Sequence, residues 1–309
     1  MTDATNEISA IDGGEKQPWR DVYHRAQDGL KLHARVYGKA NDLPPVVCLP
    51  GLTRNAKDFH DIALYLSKDA KPSRMVVSLS YRGRGQSERD EDWKNYTIET
   101  EAKDVLSTLT RLNIKHAHFI GTSRGGLILF ALTALRPAAL KSVVLNDIGP
   151  VVEASGLARI KSYSNQMEPQ KTIEAAAEYM EKIHTQQFPN LDSDGWLKLA
   201  KQLYIQGKKR ALPDYDRELL NSFDYLDLSK PLPTVWPQFS ALKLVPTLVL
   251  RGQKSDILAI ATVEEMKKIH PSMKAKTIMN EGHAPLLWDR STQDAILEHM
   301  NDADGLDGF

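Results

Sequence analysis

Short apolar runs bounded by turn residues alternate along this chain with longer stretches in which apolar positions recur every three or four residues. That rhythm predicts a mostly parallel sheet flanked by helices. Eight runs predict strands: Asp21 to Arg25, Lys31 to Tyr37, Val46 to Leu49, Met75 to Leu79, His118 to Gly121, Ser142 to Leu145, Thr247 to Leu250 and Lys276 to Met279. Asp28-Gly29 between the first two is a tight-turn signal, so the sheet should open on an antiparallel hairpin. Helical spacing covers Ala56 to Ser67, Ile98 to Leu112, Gly125 to Leu135, Val263 to Ile269 and Leu286 to Met300.

Between Gly149-Pro150 and Phe239 the rhythm changes. No strand is evident there, while Ile173, Ala176, Ala177 and Met180, and then Trp196, Ala200, Leu203 and Tyr204, fall at helical spacing. Such an interval is too long for a structureless loop. Residues 151–239 are therefore expected to form a helical cap inserted into an α/β core made of residues 18–150 and 240–300. The polar N-terminus, 1–17, and the Asp- and Gly-rich tail, 301–309, are expected to be flexible.

Charge narrows the choice of partner. Of 309 residues 40 are basic and 40 acidic, so no net field draws in nucleic acid. The one compact basic run, Lys208-Lys209-Arg210, reads as a solvated surface turn. The single cysteine, Cys48, has no partner for an internal disulfide and sits in an apolar run, as a buried inert thiol would. The first twenty residues lack the apolar centre of a secretory signal, and no run of about 18 apolar residues occurs. The expectation is a cytoplasmic protein acting on a small molecule, with no nucleic-acid or membrane partner. Nothing in the sequence sets an oligomeric state.

Gly121-Thr122-Ser123-Arg124-Gly125-Gly126 carries the strongest chemical signal, because this G-x-S-x-G stands between a predicted strand and a predicted helix. A sharp turn there would expose the serine hydroxyl, and glycines are needed where strand and helix nearly touch. A serine hydroxyl attacks a carbonyl only when a positioned base takes its proton. Glu281-Gly282-His283-Ala284-Pro285 offers that base on a loop following the last strand; the other eight histidines lie on the leading hairpin, in or beside helices, in the cap, or in the pair His116 and His118. That pair lacks a third ligand at metal-site spacing, so neither a metal nor a cofactor is expected.

The imidazole in turn requires a carboxylate. Asp256, in Arg251-Gly252-Gln253-Lys254-Ser255-Asp256 after the strand Thr247 to Leu250, is the preferred acid, and Asp147, directly after the strand Ser142 to Leu145, is its competitor. Two backbone donors should face the oxygen that becomes negative in the tetrahedral intermediate. The amides of Arg124, which follows the nucleophile, and Leu52, in Pro50-Gly51-Leu52-Thr53, are the candidates.

On these residues the chain resembles the capped serine hydrolases of the α/β-hydrolase superfamily over about residues 20 to 300, a group that includes C–C bond hydrolases, lactonases and esterases. Tyr81-Arg82-Gly83-Arg84-Gly85-Gln86-Ser87 is similar to the R-G-x-G-x-S turn after that family's fourth strand, and the insertion follows the sixth strand as in the family plan. Two features depart from the pattern: Pro50 replaces the usual histidine of the oxyanion loop, and charged Arg124 follows the nucleophile, either salt-bridged in the core or facing an acidic substrate. The resemblance implies hydrolysis of a small, mostly apolar carboxylic ester or lactone through an acyl-enzyme. Cleavage of a C–C bond in a dicarbonyl compound and a non-catalytic ligand-binding role are the alternatives. Dehalogenases and epoxide hydrolases of similar architecture carry aspartate where Ser123 stands. The cap should select the substrate while the core supplies the chemistry.

Overall fold

The computed structural model describes residues 17–225, 227–228 and 230–305. Eight strands form one sheet in the order β1-β2-β4-β3-β5-β6-β9-β10. β1 (Trp19–Arg25) and β2 (Lys31–Tyr37) form the expected antiparallel hairpin, and β2 also runs antiparallel to β4 (Val76–Ser80). All remaining neighbours pair in parallel: β3 (Val46–Leu49), β5 (Ala117–Thr122), β6 (Leu140–Asn146), β9 (Thr247–Gly252) and β10 (Lys274–Ile278). Every residue of β3, β4 and β5 is buried, because helices cover both faces of the sheet; such strands read as continuous apolar runs rather than as alternation. That is why their positions were visible in the sequence.

The flanking helices are α1 (His60–Leu64), α2 (Ile98–Arg111), α3 (Arg124–Leu135), α8 (Ile260–Ile269) and α9 (Arg290–Asp304). α9 begins four residues later than the apolar run Leu286-Leu287-Trp288 suggests. Asp289 sets the start, its carboxylate accepting from the Thr292 amide at 2.8 Å. The helix also runs on to Asp304, so residues 301–304 are helical rather than part of a flexible tail. Asp304 is fixed by Arg74 at 2.8 Å and by His118 at 3.1 Å. The expected flexible stretches 1–16 and 306–309 lie outside the described residues.

Between β6 and β9 the chain forms α4 (Ala154–Gln166), α5 (Ile173–His184), α6 (Ser193–Leu203) and the short α7 (Trp236–Ser240). One expectation fails here: a two-stranded ribbon, β7 (Tyr204–Gln206) with β8 (Ala211–Pro213), sits where no strand was anticipated. Three-residue strands are too short to show a period, and Pro213 argues against a strand on sequence grounds. Lys208, Lys209 and Arg210 lie exposed in the turn of that ribbon. No helix among the described residues is long and apolar enough to cross a membrane.

Candidate active site

β5 runs into α3 through a turn whose apex is Ser123, held at φ 51° and ψ −112°. That left-handed backbone is costly for a residue with a side chain and persists only where its surroundings enforce it. Here the enforcing contact is between strand and helix. A Cβ on Gly121 would lie 2.8 Å from the Gly125 carbonyl carbon, and one on Gly125 would lie 2.1 Å from the Leu49 carbonyl oxygen of β3. The backbone therefore reverses with no room for a methyl group at either position, and the hydroxyl is carried beyond the carboxyl edge of the sheet.

Ser123 Oγ lies 2.8 Å from His283 Nε2, and His283 Nδ1 lies 2.8 Å from Asp147 Oδ2. The pairing expected between His283 and Asp256 is not formed: Asp147 occupies that place. Asp147 stands one residue beyond β6, is fully buried, and adopts φ 57°, which turns its carboxylate back over the sheet edge. There it also accepts from the Gly252 amide at 2.9 Å and from Ser255 Oγ at 2.6 Å. Three donors thus fix one carboxylate. Asp256, four residues beyond β9, instead meets Arg159 of α4 in a two-pronged pair, at 2.5 and 2.8 Å. Partial burial alone would raise the Asp256 pKa, but the bonds and charge of Arg159 outweigh it and hold the carboxyl below its ordinary range.

Asn146, the last residue of β6, joins the two loops that carry the serine and the histidine. Its side-chain amide donates to Thr122 Oγ1 at 3.0 Å and to the Pro285 carbonyl at 2.9 Å. The inserted segment also reaches the histidine loop. Gln187, just past α5, accepts from the His283 amide at 2.9 Å, and Gly282 packs so close to Gln187 that a Cβ there would overlap it. Neither Gln187 nor Asn146 carries a sequence signal, since each acts through a long-range contact.

The amides of Leu52 and Arg124 make no hydrogen bond to a described residue, and a Cβ on Gly51 would lie 3.9 Å from the Ser123 Cβ. A buried ionic bridge ties these two candidate donor residues together. Glu101, fully buried on α2, receives Arg84 at 2.7 Å through one oxygen and Arg124 at 2.5 Å through the other. Arg84 also donates to the Leu52 carbonyl at 2.9 Å, and Arg124 to the Tyr96 carbonyl at 2.9 Å. The Arg124 guanidinium therefore belongs to the core. Burial would raise the Glu101 pKa, yet the two guanidinium charges keep the carboxyl below its ordinary value.

Above Ser123 and His283 lies a cavity of about 90 Å³. Its core wall includes Gly51, Leu52 and Leu286, and its opposite wall comes from the insertion: Ile160, Tyr163, Met167, Met180, His184, Phe188, Leu199 and Leu203. Among the described residues no group of three or more His, Cys, Asp or Glu side chains is placed to hold a metal ion. His118 bonds Ser142 at 2.8 Å and Asp304 at 3.1 Å within the core, away from any such site. Burial pushes the Cys48 thiol far up, as for an inert core residue.

The family model for the alpha/beta hydrolase fold matches residues 44–290 of the chain. A 3-hydroxybutyrate-oligomer hydrolase from Cupriavidus necator is 30% identical over 269 residues, which span 84% of this chain and 89% of that protein. An sn-1-specific diacylglycerol lipase from Mus musculus is 25% identical over 78% of this chain and 75% of its own length. Among solved structures, an alpha/beta hydrolase from Novosphingobium aromaticivorans matches with a TM-score of 0.85 at 36% identity, covering 92% of this chain and all of that one.

Proposed function

The chain belongs to the alpha/beta hydrolase fold family, and on that premise we propose that it is a serine hydrolase cleaving small, mostly apolar carboxylic esters or lactones through an acyl-enzyme. One observation carries this reading: the unbroken hydrogen-bonded chain from Ser123 through His283 to Asp147, with both links at 2.8 Å. Ser123 Oγ attacks the substrate carbonyl carbon while its proton passes to His283 Nε2. Asp147, on the far side of the ring, holds the proton at Nδ1 and stabilises the imidazolium as it forms. The carbonyl oxygen becomes negative and takes donation from the Leu52 and Arg124 amides. As the tetrahedral intermediate collapses, the alcohol leaves with the proton from Nε2. Water then attacks the acyl-serine with His283 as base, releasing the acid and restoring Ser123.

The insertion supports a substrate of modest size, because its apolar wall closes the cavity over the serine. The named activities of the Cupriavidus and mouse relatives, both hydrolyses of carboxylic esters, favour ester chemistry over C–C cleavage. A fluorophosphonate probe together with p-nitrophenyl esters of increasing acyl length tests the proposal. The expected result is stoichiometric labelling and turnover of short esters, both abolished by Ser123→Ala, with kcat down by about 10³-fold or more. Turnover retained in a folded Ser123→Ala protein would refute it.

A further inference from the structure

His184 ends α5 and lines the same cavity as Ser123 and His283. It is 93% buried, at 7% relative exposure, with its ring set edge-on against Tyr163 at a centroid distance of 4.7 Å. Neither ring nitrogen meets a hydrogen-bond partner among the described residues, and the ring keeps access to the cavity rather than being sealed in protein. A buried polar side chain is ordinarily paired, since leaving it unpaired forfeits the bonds it made to water. In His184 the unpaired nitrogens open onto the cavity, so a group bound there can pair with them. Burial, reinforced by the charges of Arg159 and Arg54, pushes the imidazole pKa down to about 3, so the ring is neutral and offers one donor and one acceptor.

The charged groups nearby decide what kind of ligand fits. The Arg54 guanidinium is held by Asp58 at 2.5 Å, and Arg159 by Asp256 through two bonds. Both cations already have carboxylate partners, so the group that pairs with His184 need carry no charge of its own. A neutral hydroxyl suits it, since a hydroxyl can both donate and accept. Among short esters, one with a hydroxyl on its acyl chain puts such a group near the scissile carbonyl while its remaining carbons meet Met167, Met180 and Leu199.

We propose that His184 is a specificity-determining residue that hydrogen-bonds a hydroxyl on the acyl chain of the substrate, making short hydroxyacyl esters the preferred class. The inference rests on the ester-hydrolase reading above. In an ester chain built of hydroxy acids, the piece held against His184 is the hydroxyl-bearing acyl end, and the end bearing the free carboxylate extends away. The turn that presents His184 is fixed, its carbonyl accepting from the Gln187 and Phe188 amides at 2.9 and 3.0 Å. Pre-set geometry of that kind is what lets one hydrogen bond discriminate.

The test compares p-nitrophenyl 3-hydroxybutyrate with p-nitrophenyl butyrate, with rates normalised to fluorophosphonate-titrated sites. The wild-type protein should favour the hydroxylated ester by about 10-fold or more in kcat/KM. His184→Phe should erase that preference, read as the ratio of the two kcat/KM values in one protein, and His184→Gln, which retains a donor and an acceptor, should keep part of it. A wild-type protein that hydrolyses both esters without preference overturns this proposal and leaves the ester-hydrolase reading standing, as does a His184→Phe protein that keeps the preference. Failure to turn over or label with any ester probe overturns both. Should the phenylalanine variant not fold, His184→Leu, which likewise removes donor and acceptor, gives the same ratio test with the preference again expected to vanish.

Discussion

Replacing Asp147 by asparagine separates the two carboxylates that compete for the histidine. In the native site Asp147 takes three hydrogen bonds, from Gly252, Ser255 and His283, with no exposure to water. Asparagine has one oxygen for those donors. If that oxygen stays with the Gly252 amide, the NH₂ group takes the place of the oxygen shared by Ser255 and His283, faces Nδ1 and must donate. The ring then carries its proton on Nε2, where it blocks acceptance of the Ser123 proton. The expected loss is about 10³ to 10⁴-fold in kcat, or about 4 to 5.5 kcal/mol at ~1.36 kcal/mol per decade. Asp256→Asn disturbs only a pair whose partners are about a quarter exposed, at 26% and 27%, so water screens it. Its stability cost should be about 1 kcal/mol or less and its effect on kcat under about 10-fold. Initial rates on a short p-nitrophenyl ester, with melting temperatures to establish folding, decide the matter. A larger kcat loss from Asp256→Asn than from Asp147→Asn would refute the reasoning and return the acid role to Asp256.

Two further outcomes follow from the supporting residues. Glu101→Gln removes the charge that balances buried Arg84 and Arg124, so denaturant unfolding should show a loss of about 3 kcal/mol or more; in protein that remains folded, kcat should fall more than KM rises. Unchanged kcat would mean that the bridge does not hold the Leu52 and Arg124 amides. Burial pushes the Glu281 carboxyl from 4.5 up to about 7, so the folded loop binds a proton that the unfolded chain releases. Its stabilising contribution is present below about pH 4.5 and lost as pH rises through about 7, and Glu281→Gln should flatten that decline in melting temperature. A decline unchanged in the variant would assign it to another group.

Much of the scaffold could be read from the chain because its central strands are buried on both faces and so appear as plain apolar runs. Ser123 and His283 were legible for a different reason: each stands in a local motif whose glycines report the backbone turn. The acid was not legible in this way. Asp147 and Asp256 both follow strands at the same edge, and what distinguishes them is Arg159, which lies 97 residues before Asp256 and engages it. No local pattern encodes that pairing. The β7–β8 ribbon escaped for want of length, and the late start of α9 was hidden by three apolar residues preceding the Asp289 cap. The Glu101 bridge was foreshadowed only by Arg124, a charge in an unexpected place whose counterion sits on a different helix.

The grip of Gln187 on the His283 amide alters what it means to remodel the insertion. A wall that merely shaped the cavity could be traded between proteins, widened or tilted, with only the range of accepted substrates changing. Here the same turn of chain steadies the backbone of the histidine proposed to carry the proton. Selectivity and turnover share a strut. Grafting a roomier roof from a relative onto this core would slacken the proposed proton relay unless the donor roof brought its own equivalent of Gln187, so exchange of such segments succeeds only when the anchor travels with the walls.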